Sequence, residues 1–241
     1  MIVGDATAFP AERARVLRRN RFRWVAVKIH HGLGRVRETE AVLRSDWARV
    51  FRRQGIRVCG WGVVERHPVR EARLAAALVR RLGLECYIAD AEAPYLGAGY
   101  GGAVVRSATF VRAFRARAGS LPAAVTTYGA ALEPWILPFD YAAWHRHGFH
   151  LLPQAYLSIA AHYGPKSATI HAVRAGFPRE WIHPMIGIGW TQGRRTHWGG
   201  DYVWRLIEAK TRGFSVFLGE TTSDADFDVL GRGVARHGIA R

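Results

Sequence analysis

The feature that most constrains the fold is the regular alternation of short apolar runs with amphipathic segments along all 241 residues. The runs are rich in Val, Ile and aromatic residues and are bounded by Gly, Pro or polar residues, as is typical of buried parallel strands. They predict strands over Met1–Asp5, Trp24–His30, Ile56–Val64, Glu85–Glu92, Ala123–Tyr128, His150–Tyr156, Ile182–Gly189 and Phe214–Glu220.

Helical periodicity fills the segments between these runs. A first helix is expected to begin at Pro10, because proline is favoured in the first turn. Further helices are expected over Glu38–Gln54, Pro68–Leu82, Ala103–Ala118, Tyr141–Arg146, Ser167–Ala175, Tyr202–Thr211 and Asp224–Arg236. Glycine readily adopts the left-handed conformation that ends a helix, and such glycines are expected at Gly55, Gly83, Gly119, Gly148 and Gly213.

Eight strand–helix repeats with no Pro/Ser-rich linker predict an α/β chain folded as a single (β/α)8 TIM-type barrel over residues 1–241. An open doubly wound sheet is the alternative. The first strand is not followed by a GxGxxG motif or a P-loop, so the sequence does not indicate a nucleotide site. No apolar run approaches eighteen residues, so no membrane span is expected.

The formal net charge of +16 comes mainly from arginine. Lys28, Lys166 and Lys210 are the only lysines, which leaves 35 − 3 = 32 arginines. This charge predicts attraction to polyanions such as nucleic acid, an anionic cell wall or an anionic membrane, although most arginines fall on predicted helices, where an exposed outer face is the simpler interpretation. A nucleic-acid partner is not expected. The N-terminus lacks a secretory signal pattern, so the expected setting is a phage virion or release by lysis.

Cysteine and histidine spacing does not indicate a metal or a cofactor. Cys59 and Cys86 lie inside apolar runs with no CxxC pattern, and we expect buried free thiols. His145, His147 and His150 cluster, but their spacing matches no established set of metal ligands.

The carboxyl ends of the strands form the active-site face of a (β/α)8 barrel, and this rule converts the predicted strands into candidate site residues. The candidates are Asp5, Lys28, His30, Trp61, Asp90, Glu92, Tyr128, Gln154, Tyr156, Trp190 and Glu220.

Asp90 and Glu92 end the fourth predicted strand and are the most informative candidates. Side chains two apart on a strand share a face, so both carboxylates should project into the barrel mouth. Close carboxylates disfavour double ionisation, which predicts a raised pKa for one of them. A protonated acid beside an ionised carboxylate is what cleavage of a glycosidic bond requires. The alternative is that the pair forms salt bridges with Lys28 or a nearby arginine.

The other candidates suit a sugar-binding role, with alternatives open. Trp61 and Trp190 could stack on sugar rings or belong to the core. Lys28 could bind substrate or neutralise an acid. Glu220 could accept a hydrogen bond from substrate or cap a helix.

Four short motifs, taken in order, resemble those of glycoside hydrolase family 25, the barrel lysozymes. They are Val-Gly-Asp-Ala-Thr at residues 3–7, Trp-Val-Ala-Val-Lys-Ile-His-His-Gly at 24–32, Asp-Ala-Glu at 90–92 and Gln-Ala-Tyr at 154–156. The chitinase-like family 18 is similar as well, since it also ends its fourth strand in Asp-x-Glu and carries a tyrosine on its sixth.

The resemblance implies a role for each matching residue. Glu92 would be the general acid, Asp90 would stabilise the sugar cation or the substrate's N-acetyl group, Asp5 would support them, and Tyr156 would hold the substrate. The sequence departs from both families. Gly4 and Asp5 lack the spacer of the family 25 motif, the third strand reads Gly-Trp-Gly, and Tyr87 and Ile88 stand where family 18 has acids.

The implied activity is hydrolysis of the β-1,4 linkages of peptidoglycan or a related amino-sugar polymer, without metal or cofactor. The implied partner is a bacterial cell-wall carbohydrate. The alternative is a barrel with little or no turnover that serves as a phage virion or wall-binding component, with virion proteins as its partners.

Overall fold

The structure is a computed structural model that describes residues 2–3, 10–91, 100–128, 139–157, 163–189, 197–218 and 222–237. The strands are β1 (Ile2–Val3), β2 (Trp24–His31), β3 (Gly34–Arg35), β4 (Arg57–Val63), β5 (Cys86–Asp90), β6 (Ala123–Tyr128), β7 (Phe149–Gln154), β8 (Met185–Ile188) and β9 (Ser215–Leu218). The helices are α1 (Pro10–Arg19), α2 (Arg37–Arg44), α3 (Trp47–Arg53), α4 (Pro68–Arg81), α5 (Tyr100–Ala118), α6 (Tyr141–Arg146), α7 (Pro165–Arg174), α8 (Gly199–Ala209) and α9 (Asp224–Ala235).

The sheet closes on itself as a barrel of eight parallel strands. The strand order is β1-β9-β8-β7-β6-β5-β4-β2, and β1 pairs with β2 as well as with β9. One or two helices follow each barrel strand along the chain. The predicted (β/α)8 barrel is therefore confirmed. The sequence did not indicate β3, which pairs antiparallel with β2 at the barrel rim.

Alternation along each strand separates two cores. On β2, Val25, Val27 and Ile29 face outwards and pack under the helices, whereas Ala26 faces the barrel interior. The interior is filled by Ala26, Cys59, Trp61, Ile88, Leu152, Tyr156 and Met185. Parallel strands whose two faces are both buried lose the apolar–polar alternation of a surface sheet, which explains why the strands read as continuous apolar runs.

The helices follow the predicted periodicity with one difference. The sequence predicted a single helix over Glu38–Gln54, but the structure divides it into α2 and α3. Ser45 adopts an extended conformation at the break, where its hydroxyl donates to the Val42 carbonyl and accepts from the Trp47 amide. A serine side chain competes in this way with the backbone hydrogen bonds of a helix.

Four of the five glycines predicted to end helices have positive φ: Gly55 (70°), Gly83 (60°), Gly119 (57°) and Gly148 (70°). Gly213 does not. Lys210 takes the left-handed conformation at the end of α8, with φ of 49°. The prediction failed there because α8 ends at Ala209, four residues before the glycine that was expected to cap it.

The expectation of free thiols is wrong. Cys59 on β4 and Cys86 on β5 are directly opposite in register and form a disulfide, with a Cα–Cα distance of 4.5 Å. Both face the barrel interior, and this separation is one that disulfides span. The pairing depends on strand register, which the separation of 27 residues along the chain does not reveal.

Among the helices that the structure describes, none is long and apolar enough to cross a membrane.

The glycines of β4 make room for outward-facing side chains. A methyl group on Gly60 would overlap Ile29 and Leu84, and a methyl group on Gly62 would overlap the His30 ring. The His30 ring cannot move aside freely, because it is fully buried and both of its nitrogens form hydrogen bonds. The two glycines therefore hold β2 and its neighbouring helices close to β4.

Replacing Gly62 by alanine should therefore destabilise the fold. We expect Gly62→Ala to lower the free energy of unfolding by about 2–3 kcal/mol, because the added methyl group displaces a hydrogen-bonded, buried ring. Gly200→Ala is the matched control, since its methyl group would meet only the Val229 side chain at an ordinary 3.8 Å. Urea unfolding checks the difference, and equal midpoints for the two variants would contradict it.

Candidate active site at the carboxyl end of the barrel

Asp90 is the carboxylate that the structure places at the mouth of the barrel. It is the last residue of β5, where Cys86 and Ile88 before it face the interior, and the alternation gives Asp90 the same face. Its side chain is buried, with 8% exposure. Glu92, the second member of the predicted pair, lies outside the described residues, as do Asp5, Trp190 and Glu220.

Two unpartnered polar atoms lie on the strands beside Asp90. Thr126 on β6 is directly opposite Asp90 in register, and Trp61 on β4 is opposite Ile88. Within the described part of the chain, the Thr126 Oγ1 and Trp61 Nε1 atoms are buried and have no hydrogen-bond partner. Because buried polar atoms are almost always paired, these two atoms are suited to bind a ligand.

Lys28 supplies a positive charge on the same side of the barrel. It is opposite Trp61 in register, and its Nζ lies 5.0 Å from the centroid of the Trp61 ring. A cation at this distance over an indole is attracted by the ring's negative face. The contact orients both side chains and holds a cation near the barrel mouth.

An aromatic wall extends from Trp61 around the interior. The Phe217 ring on β9 meets the Trp61 ring edge-on at 6.5 Å between centroids, and Tyr156 lies 6.0 Å from Phe217. Both Trp61 and Tyr156 are buried, with 7% and 5% exposure. These rings offer a continuous apolar surface beside the polar atoms of the mouth.

Gln154 and Tyr128 lie at the same end of the barrel. Gln154 ends β7, is 4% exposed and is opposite Tyr128, which ends β6. The structure thus brings five of the predicted positions to one end: Lys28, Trp61, Asp90, Gln154 and Tyr156. It describes Tyr128 by its backbone position alone.

Thr126 and Phe217 were not among the site residues that the sequence predicted. Both share the inward face of their strands, Thr126 with Ala124 and Phe217 with Ser215. Strand alternation could have indicated both, because each lies two residues beyond a small residue on a predicted strand and therefore shares its face. Neither residue ends its predicted strand, so the strand-end rule did not select it.

His30 lies at the predicted strand end but does not face the mouth. A β-bulge between Lys28 and His30 shifts the register, so that His30 is opposite the outward-facing Gly62. Its Nδ1 donates to the Gly32 carbonyl at 3.0 Å, and its Nε2 accepts from the Tyr87 hydroxyl at 2.8 Å. Burial lowers the pKa of His30 to about 4, so the ring is a neutral part of the outer core.

The clustered histidines His145, His147 and His150 have different contacts. The His147 ring bonds to its own helix at the Ala143 carbonyl, whereas the His150 ring bonds to His183. The His145 ring packs on Trp181. No group of three or more metal-ligating side chains occurs in the part of the chain that the structure describes.

Comparison by sequence finds no matching protein-family model and no matching curated protein. Solved structures do match. A family 18 chitinase from Pseudoalteromonas aurantia aligns with a TM-score of 0.67 and 11% identity, over 98% of this chain and 97% of its own. A family 18 chitinase from Cycas revoluta in complex with (GlcNAc)3 aligns with a TM-score of 0.60 and 16% identity, over 78% and 68%.

A protein from Toxoplasma gondii assigned as a deoxyribose-phosphate aldolase aligns with a TM-score of 0.60 and 13% identity, over 98% of this chain and 90% of its own. At these identities the likeness shows the TIM-barrel fold, which enzymes of unrelated chemistry share. Both of these chitinases are of family 18, whereas the sequence motifs resemble those of family 25 first.

The buried neutral histidines make the stability of the fold depend on pH. Burial lowers the pKa of His30 and His183 from 6.5 to about 4 and lowers that of His150. The folded chain then binds fewer protons than the unfolded chain between about pH 4 and pH 6.5. Stability should rise with pH across this window and be lost as the pH falls through it.

We expect His30 alone to account for about 2 kcal/mol of the loss between pH 7.5 and pH 4.5. Urea unfolding at the two pH values should show a smaller difference in His30→Gln than in wild type. The exposed neighbour His31→Gln is the control and should retain the full difference. An unchanged difference in His30→Gln would show that this ring does not set the dependence.

Proposed function

We propose that the chain is a glycoside hydrolase acting on β-1,4-linked amino-sugar polymers. The observation that carries the proposal is the buried Asp90 carboxylate at the carboxyl end of β5, with two unpartnered atoms on the neighbouring strands. The Thr126 Oγ1 atom belongs to the residue opposite Asp90 on β6, and the Trp61 Nε1 atom lies on β4. Barrel enzymes act at this end of the strands. The two chitinases among the structural neighbours support the reaction class and the substrate class.

The proposed chemistry divides two roles between neighbouring carboxyl groups. Glu92, two residues beyond Asp90, donates a proton to the leaving glycosidic oxygen as general acid. Asp90 remains ionised and stabilises the sugar cation or orients the neighbouring N-acetyl group. The Lys28 ammonium group, held over Trp61 on the same face of the barrel, adds positive charge to the mouth.

The remaining side chains fit a sugar substrate. Sugar rings present apolar faces and hydroxyl edges, and the mouth offers aromatic rings beside hydrogen-bonding groups. In the proposal, the rings of Trp61 and Tyr156 contact the sugar. The Trp61 Nε1–H donates to a hydroxyl or acetamido oxygen, and the Thr126 hydroxyl takes a second such contact. Asp5, Trp190 and Glu220, which the sequence predicts at or just after strand ends, complete the set of proposed site residues.

We propose peptidoglycan as the substrate within this class. The formal charge of +16 supports it, because a cationic protein concentrates on an anionic wall. Chitin is neutral and offers no such attraction. The same charge would also serve a barrel that binds wall polymer without cleaving it, so binding and turnover must be measured separately.

The test is hydrolysis of purified peptidoglycan and of chitin by wild type, Glu92→Gln and Asp90→Asn. We expect Glu92→Gln to lower kcat at least ~100-fold, the usual contribution of a general acid. Asp90→Asn should lower kcat strongly as well. Glu208→Gln and Asp46→Asn are the matched controls, since these exposed acids lie on α8 and before α3, and both should retain activity. Mass analysis of the products identifies the bond that is cleaved.

Three outcomes are informative. Faster release of products from peptidoglycan than from chitin supports the proposed substrate, and the reverse order assigns the neutral polymer. Full activity in Glu92→Gln would exclude this residue as the acid. If wild type binds peptidoglycan and cleaves neither polymer, the chain is a wall-binding or virion component.

A further inference from the structure

The described residues also line a cavity at the opposite, amino end of the barrel. Its volume is about 280 Å³, near the lower end of the range for small-molecule sites. The residues that line it come from the beginnings of the strands, among them Trp24 of β2, Cys86 of β5 and Ala123 of β6. Asp90 ends β5, so this cavity is separate from the candidate active site.

Three arginines surround the opening. Arg23 precedes β2, Arg57 begins β4 and Arg212 precedes β9, and all three are exposed. None of them forms an ion pair with a described residue, although many other arginines of the chain do. The residues lining the cavity include no carboxylate. The opening therefore carries positive charge that the described residues leave unneutralised.

The floor of the cavity is apolar. It consists of inward-facing side chains of the barrel strands, Ile88, Leu152 and Ala124, together with the Cys59–Cys86 disulfide. Such a floor binds an apolar group by removing it from water. A small inorganic ion would gain nothing from this part of the cavity.

One wall is a stack of flat rings. The His150 ring lies 5.1 Å from the His183 ring and 4.5 Å from the Trp181 ring behind it, both at shallow angles. The Nδ1 of His150 and the Nε2 of His183 share a hydrogen bond at 2.9 Å. Burial lowers the pKa of both rings, to about 4 for His183, so the wall is neutral near pH 7 and the positive charge is that of the arginines.

We propose that this cavity is a binding site for a small organic anion that carries a carboxylate on a flat, apolar body of one or two rings. The carboxylate would lie at the rim, where guanidinium groups bind it through paired hydrogen bonds. The apolar body would lie on the floor, against the His150–His183 wall. The proposed site does not depend on the proposed glycosidase activity, and its test does not require that activity.

The test is isothermal titration of the full chain at low salt with 1-naphthoate. The expected result is saturable binding of one ligand per chain. The Arg23→Gln, Arg57→Gln, Arg212→Gln triple variant should bind at least tenfold more weakly. The matched control is the Arg53→Gln, Arg70→Gln, Arg73→Gln triple variant, which removes the same charge from exposed helical positions and should bind within twofold of wild type.

Two further experiments test the charged rim and the apolar floor separately. 1-Naphthalenemethanol has the same rings without the charge, and we expect it to bind at least tenfold more weakly than 1-naphthoate. Ala124→Leu fills the floor and should weaken 1-naphthoate binding at least tenfold. If Ala124→Leu does not fold, the exposed arginine variants still decide the question.

The proposal is overturned if wild type shows no saturable binding up to the solubility limit of 1-naphthoate. Equal affinity for the alcohol would overturn it as well, because the arginines would then play no part. An equal loss of binding in both triple variants would show attraction by net charge alone and would equally reject the site.

Discussion

The pairing of β1 with two partners is the constraint on which the rest of the structure depends. Ile2 is opposite Ala26 of β2 on one side and Phe217 of β9 on the other, and Val3 is opposite Val27. These two residues turn an open parallel sheet into a closed barrel in which each of the eight parallel strands has a partner on both sides. Closure also brings the last strand beside the first, so that Phe217 can contact Trp61 of β4. An open sheet would keep β9 far from β4 and would divide the aromatic wall.

Closure also gives the two ends of the barrel different chemistry. All eight barrel strands are parallel, so their carboxyl ends collect Lys28, Asp90 and Gln154 at one rim. Their amino ends collect Arg23, Arg57 and Arg212 at the other. Although arginines greatly outnumber acidic residues in the chain, the described part of the rim at the carboxyl end contains the buried Asp90 carboxylate. The charge of +16 therefore describes the surface as a whole and does not describe the candidate active site.

The sequence predicted the order of strands and helices well, because each depends on local periodicity. It failed where the outcome depends on register. The Cys59–Cys86 disulfide follows from two strands meeting residue against residue, and the outward turn of His30 follows from a bulge. Thr126 lies before the end of its strand, so the strand-end rule did not select it, and the register then places it opposite Asp90. Periodicity assigns a side chain to one of two faces, and register then decides which side chains meet.

The interior packing keeps the two ends of the barrel apart. On β5, Ile88 contributes to the cavity floor, and Asp90, the next inward-facing residue, lies roughly 7 Å further along the strand. Above the floor residues Ile88 and Leu152, the rings of Trp61 and Tyr156 and the Met185 side chain belong to the same packed interior cluster, and all five side chains are less than a tenth exposed. A side-chain layer of this kind leaves no passage for a sugar. A ligand therefore reaches Asp90 from the carboxyl end of the barrel and not through the interior.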